Sequence, residues 1–180
     1  MRRLLERNPR AIRKSVTATT RAPRPGEFDG VHYHFLSREN FEERRSRGEF
    51  LESADVYGNL YGTLREKVER TLRDGVSCLL EIDVQGAALV RASGVPVATV
   101  FLAPPSMEEL ERRLRHRGTE PEEVIRRRLD TARREMEERP KYDAVIVNDH
   151  IDAATERLER HLRERGALPP ERERGGGHGG

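Results

Sequence analysis

Short apolar runs rich in β-branched residues alternate along this chain with helical patterns. This alternation is the sign of a parallel sheet built from strand-helix-strand units, and it constrains the fold more than any other feature. Three strands are expected, at Val76 to Ile82, Val97 to Leu102 and Ala144 to Val147, with a weaker fourth from Arg13 to Ala18. Between them the pattern predicts helices from Leu64 to Asp74, stopped by Gly75, and from Met107 to Arg115, opened by a capping box of Ser106 and Glu109. Further helices are expected at Glu122 to Glu138 and at Ile151 to Arg165, the latter closed by Gly166.

The segment from Arg21 to Thr63 interrupts that alternation. It reads as an inserted lobe of short antiparallel strands, including YHF and EFLESADV with a turn at Gly58 and Asn59, around a helix from Arg38 to Arg47. One domain is expected over residues 1–165, with residues 166–180, ending in PPERERGGGHGG, as a disordered tail. The 34 basic and 32 acidic residues leave a net charge of +2, so no global field recruits nucleic acid or an anionic membrane, and any anion site must be local. No apolar run approaches a membrane span of about 20 residues. The single Cys78 sits in the apolar run VSCLLEID and reads as a core thiol. The lack of a disulfide framework suits a reducing, cytoplasmic location.

Three clusters carry chemistry. In TTRAPRPGE, Arg21 and Arg24 project from a loop stiffened by Pro23 and Pro25, a fork suited to a phosphate. Thr17, Thr19 and Thr20 add hydroxyls nearby and Tyr33 a phenol. The competing reading is a surface turn whose arginines pair with acids such as Glu27. A second cluster puts Glu52 on a strand and Tyr61, Gly62 and Thr63 just before a helix. The third, LLEIDVQGA, holds Glu81 and Asp83 at the C-terminal end of a parallel strand, where open α/β sheets place their ligands. Asp83 serves equally well as a helix cap, and Glu52 as an exposed strand residue.

The ordered run of TTRAPRPGE, Gly30 to Phe35, GEFLE, YGNLYGT, LLEIDVQGA, FLAPPS, RGTE and VIVND closely resembles guanylate kinase, up to about Arg165. The resemblance implies a P-loop nucleoside monophosphate kinase fold, α/β with a parallel sheet core, a GMP-binding lobe at about 21–63 and a lid at about 116–138. It implies transfer of the γ-phosphoryl group of ATP, with Mg2+, to GMP. By position, Arg21, Arg24, Tyr33 and Tyr61 match residues that hold the GMP phosphate, and Glu27 one that supports their loop. Glu52, Asp83, Thr17 and Thr63 match those that read the base. Guanine offers a ring N–H and an amino group as adjacent donors, which carboxylates accept, and a carbonyl oxygen for a hydroxyl; adenine does not answer that pattern. Arg117 and Arg128 match lid arginines that cover the transferred phosphoryl group, with a surface arginine as the alternative for each. Asn148 matches a residue near the adenine of ATP, and equally suits a turn after a strand.

The sequence departs from the family at one motif. No G-x-x-x-x-G-K-[ST] cradle for the ATP phosphates occurs, nor any Gly-Lys pair. MRRLLERNPRAIRKSV corresponds to the end of the helix that follows that loop, so the first strand and the cradle are expected to be missing from these residues. Three readings follow: an ordinary guanylate kinase whose recorded Met1 is a misplaced start or fragment boundary, a silent module binding GMP or an acidic peptide, or a poorly folding remnant. No sequence feature bears on oligomeric state.

Overall fold

The computed structural model describes residues 1–56, 58–116 and 121–170. The chain opens on α1 (Arg2–Arg7) and β1 (Ile12–Lys14), crosses to β2 (Ala18–Thr19) and β3 (His34–Phe35), and then forms α2 (Arg38–Ser46). A hairpin of β4 (Phe50–Val56) and β5 (Asn59–Leu64) leads into α3 (Arg65–Arg73), β6 (Ser77–Leu79) and α4 (Val84–Ala92). β7 (Val100–Ala103), α5 (Met107–His116), α6 (Glu122–Glu137), β8 (Ala144–Val147) and α7 (Ile151–Glu164) follow.

The expected parallel strands form, in two pairs. β1 runs beside β6, with Ile12 opposite Ser77, and β7 beside β8, with Val100 opposite Ala144. One apolar cluster of Leu4, Ile12, Ile146, Ala154, Leu158 and Leu168 ties α1, β1, β8 and α7 together across both pairs. Between β6 and β7 runs a slot of about 550 Å³, lined by Leu79, Leu80 and Ile82 on one side and Val100, Phe101 and Leu102 on the other. Among the described residues no strand pairs with the facing edges of β6 and β7.

The lobe is a second sheet, in the order β3, β2, β5, β4. Its core is Ala18, Phe41, Phe50, Leu60 and Leu64, with the Phe41 and Phe50 rings stacked at 4.3 Å between centroids. The strand expected from Arg13 to Ala18 is divided: β1 ends at Lys14, the chain changes sheets, and Ala18 and Thr19, both fully buried, start the lobe. β3 lies parallel to β2 rather than antiparallel, because residues 20–33 form an excursion long enough to bring the chain back in the same direction. The other lobe pairings, β2 with β5 and β4 with β5, are antiparallel as expected.

Helix ends follow the local chemistry. α3 ends before Gly75 at φ +74° and α7 before Gly166 at φ +71°, the left-handed conformation that glycine adopts without strain. Ser106 Oγ accepts the Glu109 N–H at 3.2 Å, one half of the capping box, while the Glu109 carboxylate goes to Arg112 and Arg113. The two arginines pull that carboxyl down to about 2. α4 escaped the sequence pattern because its apolar residues do not form a single stripe: Val90 is buried while Leu89 is 48% exposed. The tail does not loosen at Gly166, since Leu168 is 4% exposed and the Ala167 carbonyl accepts the Ser77 hydroxyl at 2.6 Å. Residues 171–180 lie outside the described residues. Burial pushes the Cys78 thiol up, as expected for a core cysteine.

Phe41, fully buried and stacked on Phe50, is the centre of the lobe. Phe41→Ala should destabilise the fold by about 3–5 kcal/mol in chemical denaturation, since it leaves a cavity in a packed core. A change under about 1 kcal/mol would show that the lobe core lies elsewhere.

Candidate nucleotide-binding site

β4 and β5 carry the centre of the site. Along β5, Leu60, Gly62 and Leu64 face the lobe core, so Tyr61 and Thr63 share the opposite face. Thr63 lies opposite Glu52 on β4, and a register irregularity between Phe50 and Glu52 accompanies this pairing, a device that re-aims side chains. The Thr63 hydroxyl donates to Glu52 Oε1 at 2.6 Å, and both residues are buried. The alternative of Glu52 as an exposed strand residue is thereby excluded. Burial pushes the Glu52 carboxyl above the ordinary carboxylate range, the Thr63 hydrogen bond acts against that, and the nearby Asp83 charge adds to it.

Asp83 is a helix cap at the C-terminal end of a parallel strand. It follows β6 at the strand's C-terminal end, and as the N-cap of α4 its Oδ1 accepts the Gly86 N–H at 2.7 Å. The position of Gly86 brings Asp83 and Glu52 to the same end of α4.

Arg21 and Glu27 hold the proline loop. The Arg21 Nη2 donates to both Glu27 oxygens at 2.9 Å, Nη1 donates to the Ala22 carbonyl at 2.7 Å, and the Arg24 backbone N–H donates to Glu27 Oε2 at 2.7 Å. The Arg24 N–H and the Arg21 guanidinium hold the Glu27 carboxyl below its usual range. Arg21 also lies over the Tyr33 ring at 5.3 Å and the Phe35 ring at 5.9 Å, and Tyr33 meets Tyr61 edge-on at 6.2 Å. Arg21, Glu27, Tyr33 and Tyr61 therefore form one group, with Arg24 exposed at its rim. Thr19 and Thr20 do not join it: the Thr19 hydroxyl accepts the Arg21 N–H at 3.2 Å and the Thr20 hydroxyl the Leu60 N–H at 2.9 Å, which staples the loop base.

A polar cleft of about 120 Å³ connects the two groups, lined by Thr17, Tyr33 and Thr63 together with Ser15 and the ion-paired Lys14 and Glu81. Lys14 and Ser15 carried no motif signal; their place follows from the crossing between sheets, which the sequence read as one strand. Arg128 lies on an exposed face of α6, which packs on α5 through Leu114, Ile125 and Leu129. Arg117 lies outside the described residues. Asn148 follows β8, its N–H donating to the Ala103 carbonyl at 2.7 Å and its carbonyl accepting from Arg113 at 3.0 Å.

A buried carboxylate held by a threonine, an arginine braced by a glutamate and two tyrosines meeting edge-on are the features that the sequence motifs supply to this site. The guanylate kinase family model matches residues 1–165. The chain belongs to the guanylate kinase family. A guanylate kinase of a Synechococcus species is 51% identical over 160 residues, covering 89% of this chain and 84% of that protein. The Vibrio cholerae guanylate kinase is 49% identical over 152 residues, covering 84% of this chain and 73% of that protein. The crystal structure of guanylate kinase from Anaplasma phagocytophilum superposes with a TM-score of 0.72 at 41% identity, covering 91% of this chain and 78% of that one. Guanylate kinases transfer a phosphoryl group from ATP to GMP. Among the described residues no three His, Cys, Asp or Glu side chains converge as a metal site, and no Gly-Lys-Ser or Gly-Lys-Thr supplies a hydroxyl ligand. The described residues thus do not fit a protein-held Mg2+.

Glu52 should weaken the free protein at neutral pH. Its folded carboxyl titrates above the unfolded value of about 4.3, so its ionisation opposes folding as the pH rises. Glu52→Gln keeps an oxygen for the Thr63 hydroxyl without the charge. Its melting temperature should exceed that of the wild type at pH 7, and the gap should shrink as the pH falls through the raised value of the folded carboxyl and be closed by about pH 4. A gap that does not change with pH would contradict a strained, ionising Glu52.

Proposed function

We propose that the lobe of residues 21–63, with Thr17 and Asp83, is the GMP site, Glu52 and Asp83 accepting the guanine ring N–H and amino group. The observation that carries this is the buried Glu52 carboxylate, held by the Thr63 hydroxyl at 2.6 Å and lying near a second carboxylate, Asp83. Such a site favours a ligand that brings two adjacent donors. The Thr63 proton is committed to Glu52, so Thr63 orients the carboxylate and Thr17 is left to donate to the guanine carbonyl oxygen. At the other end Arg21, Arg24, Tyr33 and Tyr61 take the phosphate, with Glu27 holding Arg21 in place until the anion arrives. Arg128 and Arg117 match family positions that cover the transferred phosphoryl group, where positive charge offsets the charge of the transition state. Asn148 matches a family position near the adenine of ATP. The lone Cys78 suits a cytoplasmic location, and no helix among the described residues is long and apolar enough to cross a membrane.

The 180 residues as written bind GMP but do not transfer phosphate to it. They contain no Gly-Lys cradle for ATP, and the unfilled slot between β6 and β7 supports the reading that they lack one strand of the parallel sheet. Each N–H or lysine contact to phosphate is worth roughly 1.5–3 kcal/mol, so several absent together leave ATP without a seat.

Calorimetry and a coupled assay test both parts. Glu52→Gln or Asp83→Asn should weaken GMP by about 1–3 kcal/mol, because an amide can present a donor to a guanine donor. Arg21→Lys should also weaken it, since a point charge replaces a fork. Unchanged affinity in both carboxylate variants would remove those residues from the site. Formation of GDP from GMP and ATP by the purified chain would overturn the account of the missing cradle.

A further inference from the structure

Gly86 lies inside α4 and is buried. Glycine in a helix lowers stability relative to alanine, because the unfolded backbone has more freedom to lose. Its backbone conformation does not call for glycine, for it is not among the positive-φ residues. Space does. A Cβ at this position would meet Glu52 Oε2 at 3.1 Å, Ile82 Cβ at 3.2 Å and Asp83 Oδ1 at 3.4 Å. The first and last of these atoms belong to the two carboxylates on which base reading depends. Neither can retreat freely. The other Glu52 oxygen is held by Thr63 at 2.6 Å, and Asp83 Oδ1 by the Gly86 N–H itself at 2.7 Å.

We propose that Gly86 is a positioning residue for base discrimination: its bare Cα leaves the space that seats the Glu52 carboxylate beside Asp83 at one end of α4. This rests on the reading of the lobe as a GMP site. The same glycine also lets α4 approach Ile82, so a packing role and a positioning role must be separated by what depends on residue 52. Shortening Glu52 by one methylene draws its carboxylate away from position 86 and leaves Ile82 untouched. If Gly86 serves Glu52, a side chain at 86 is disruptive only while Glu52 keeps its full length.

The test is a cycle of wild type, Gly86→Ala, Glu52→Asp and the double variant, on the full chain, with two readouts. In calorimetric titration, Gly86→Ala should lower GMP affinity about tenfold and leave AMP affinity unchanged, so the GMP-to-AMP ratio falls by the same factor. In the Glu52→Asp background the same change should alter GMP affinity less than about twofold. In thermal unfolding without ligand, Gly86→Ala should be more favourable in the Glu52→Asp background than in the wild type. Equal losses for GMP and AMP, or identical effects of Gly86→Ala in both backgrounds by both readouts, would overturn the proposal and assign Gly86 to packing against Ile82. A wild type that does not prefer GMP to AMP would instead defeat the GMP reading. The ligand-free thermal cycle would then still decide whether Gly86 seats Glu52, and equal shifts in the two backgrounds would sink that as well.

Discussion

A carboxylate taken out of water and held by one threonine is the constraint around which the lobe is arranged. Desolvation raises the energy of the charged form, and a neutral hydrogen bond returns only part of it. Glu52 is held in this state by its surroundings: Thr63 on the neighbouring strand fixes one oxygen, α4 closes over the other, and the stacked Phe41 and Phe50 anchor the sheet beneath. A local conflict of this kind, stabilised by its neighbours, is what a binding site looks like before its ligand arrives.

The phosphate end follows the opposite logic. Arg21 is already paired with Glu27 and stacked over the faces of Tyr33 and Phe35, in a partly exposed loop. An ion pair in such a place contributes little to stability, and its value is geometric. Glu27 also accepts the Arg24 backbone N–H, so one side chain sets the loop and the guanidinium together. In the proposed site the base end sets the buried Glu52 carboxylate near the more exposed Asp83. The proposed phosphate end holds Arg21 on a partner, Glu27, that an anion can share.

What the sequence reveals of this depends on how local the determining physics is. Gly75, Gly166 and Ser106 mark helix ends through backbone conformation and a single hydrogen bond, and those boundaries were readable. The residues from Arg13 to Ala18 were not, because a strand that passes from one sheet to another has the same apolar alternation as one that does not. α4 was hidden by a helix without a single apolar stripe, and the parallel β3 by a direction that only the long loop before it sets. In the site, the residue types were legible while their commitments were not. That Thr63 donates to Glu52, that Thr19 and Thr20 staple the loop, and that Lys14 pairs with Glu81 in the cleft are consequences of three-dimensional neighbours. Leu168 is a further case, since a flexible-looking terminus is anchored by one apolar residue reaching the core.

The most direct measurement of the central claim is a crystal structure of the chain with GMP bound. The account predicts the guanine ring N–H and amino group within about 2.7–3.2 Å of the Glu52 and Asp83 carboxylates, the Thr63 hydroxyl still on Glu52, and the phosphate beside Arg21 and Tyr61. A base seated away from both carboxylates, with Glu52 still buried against Thr63 alone, would contradict it.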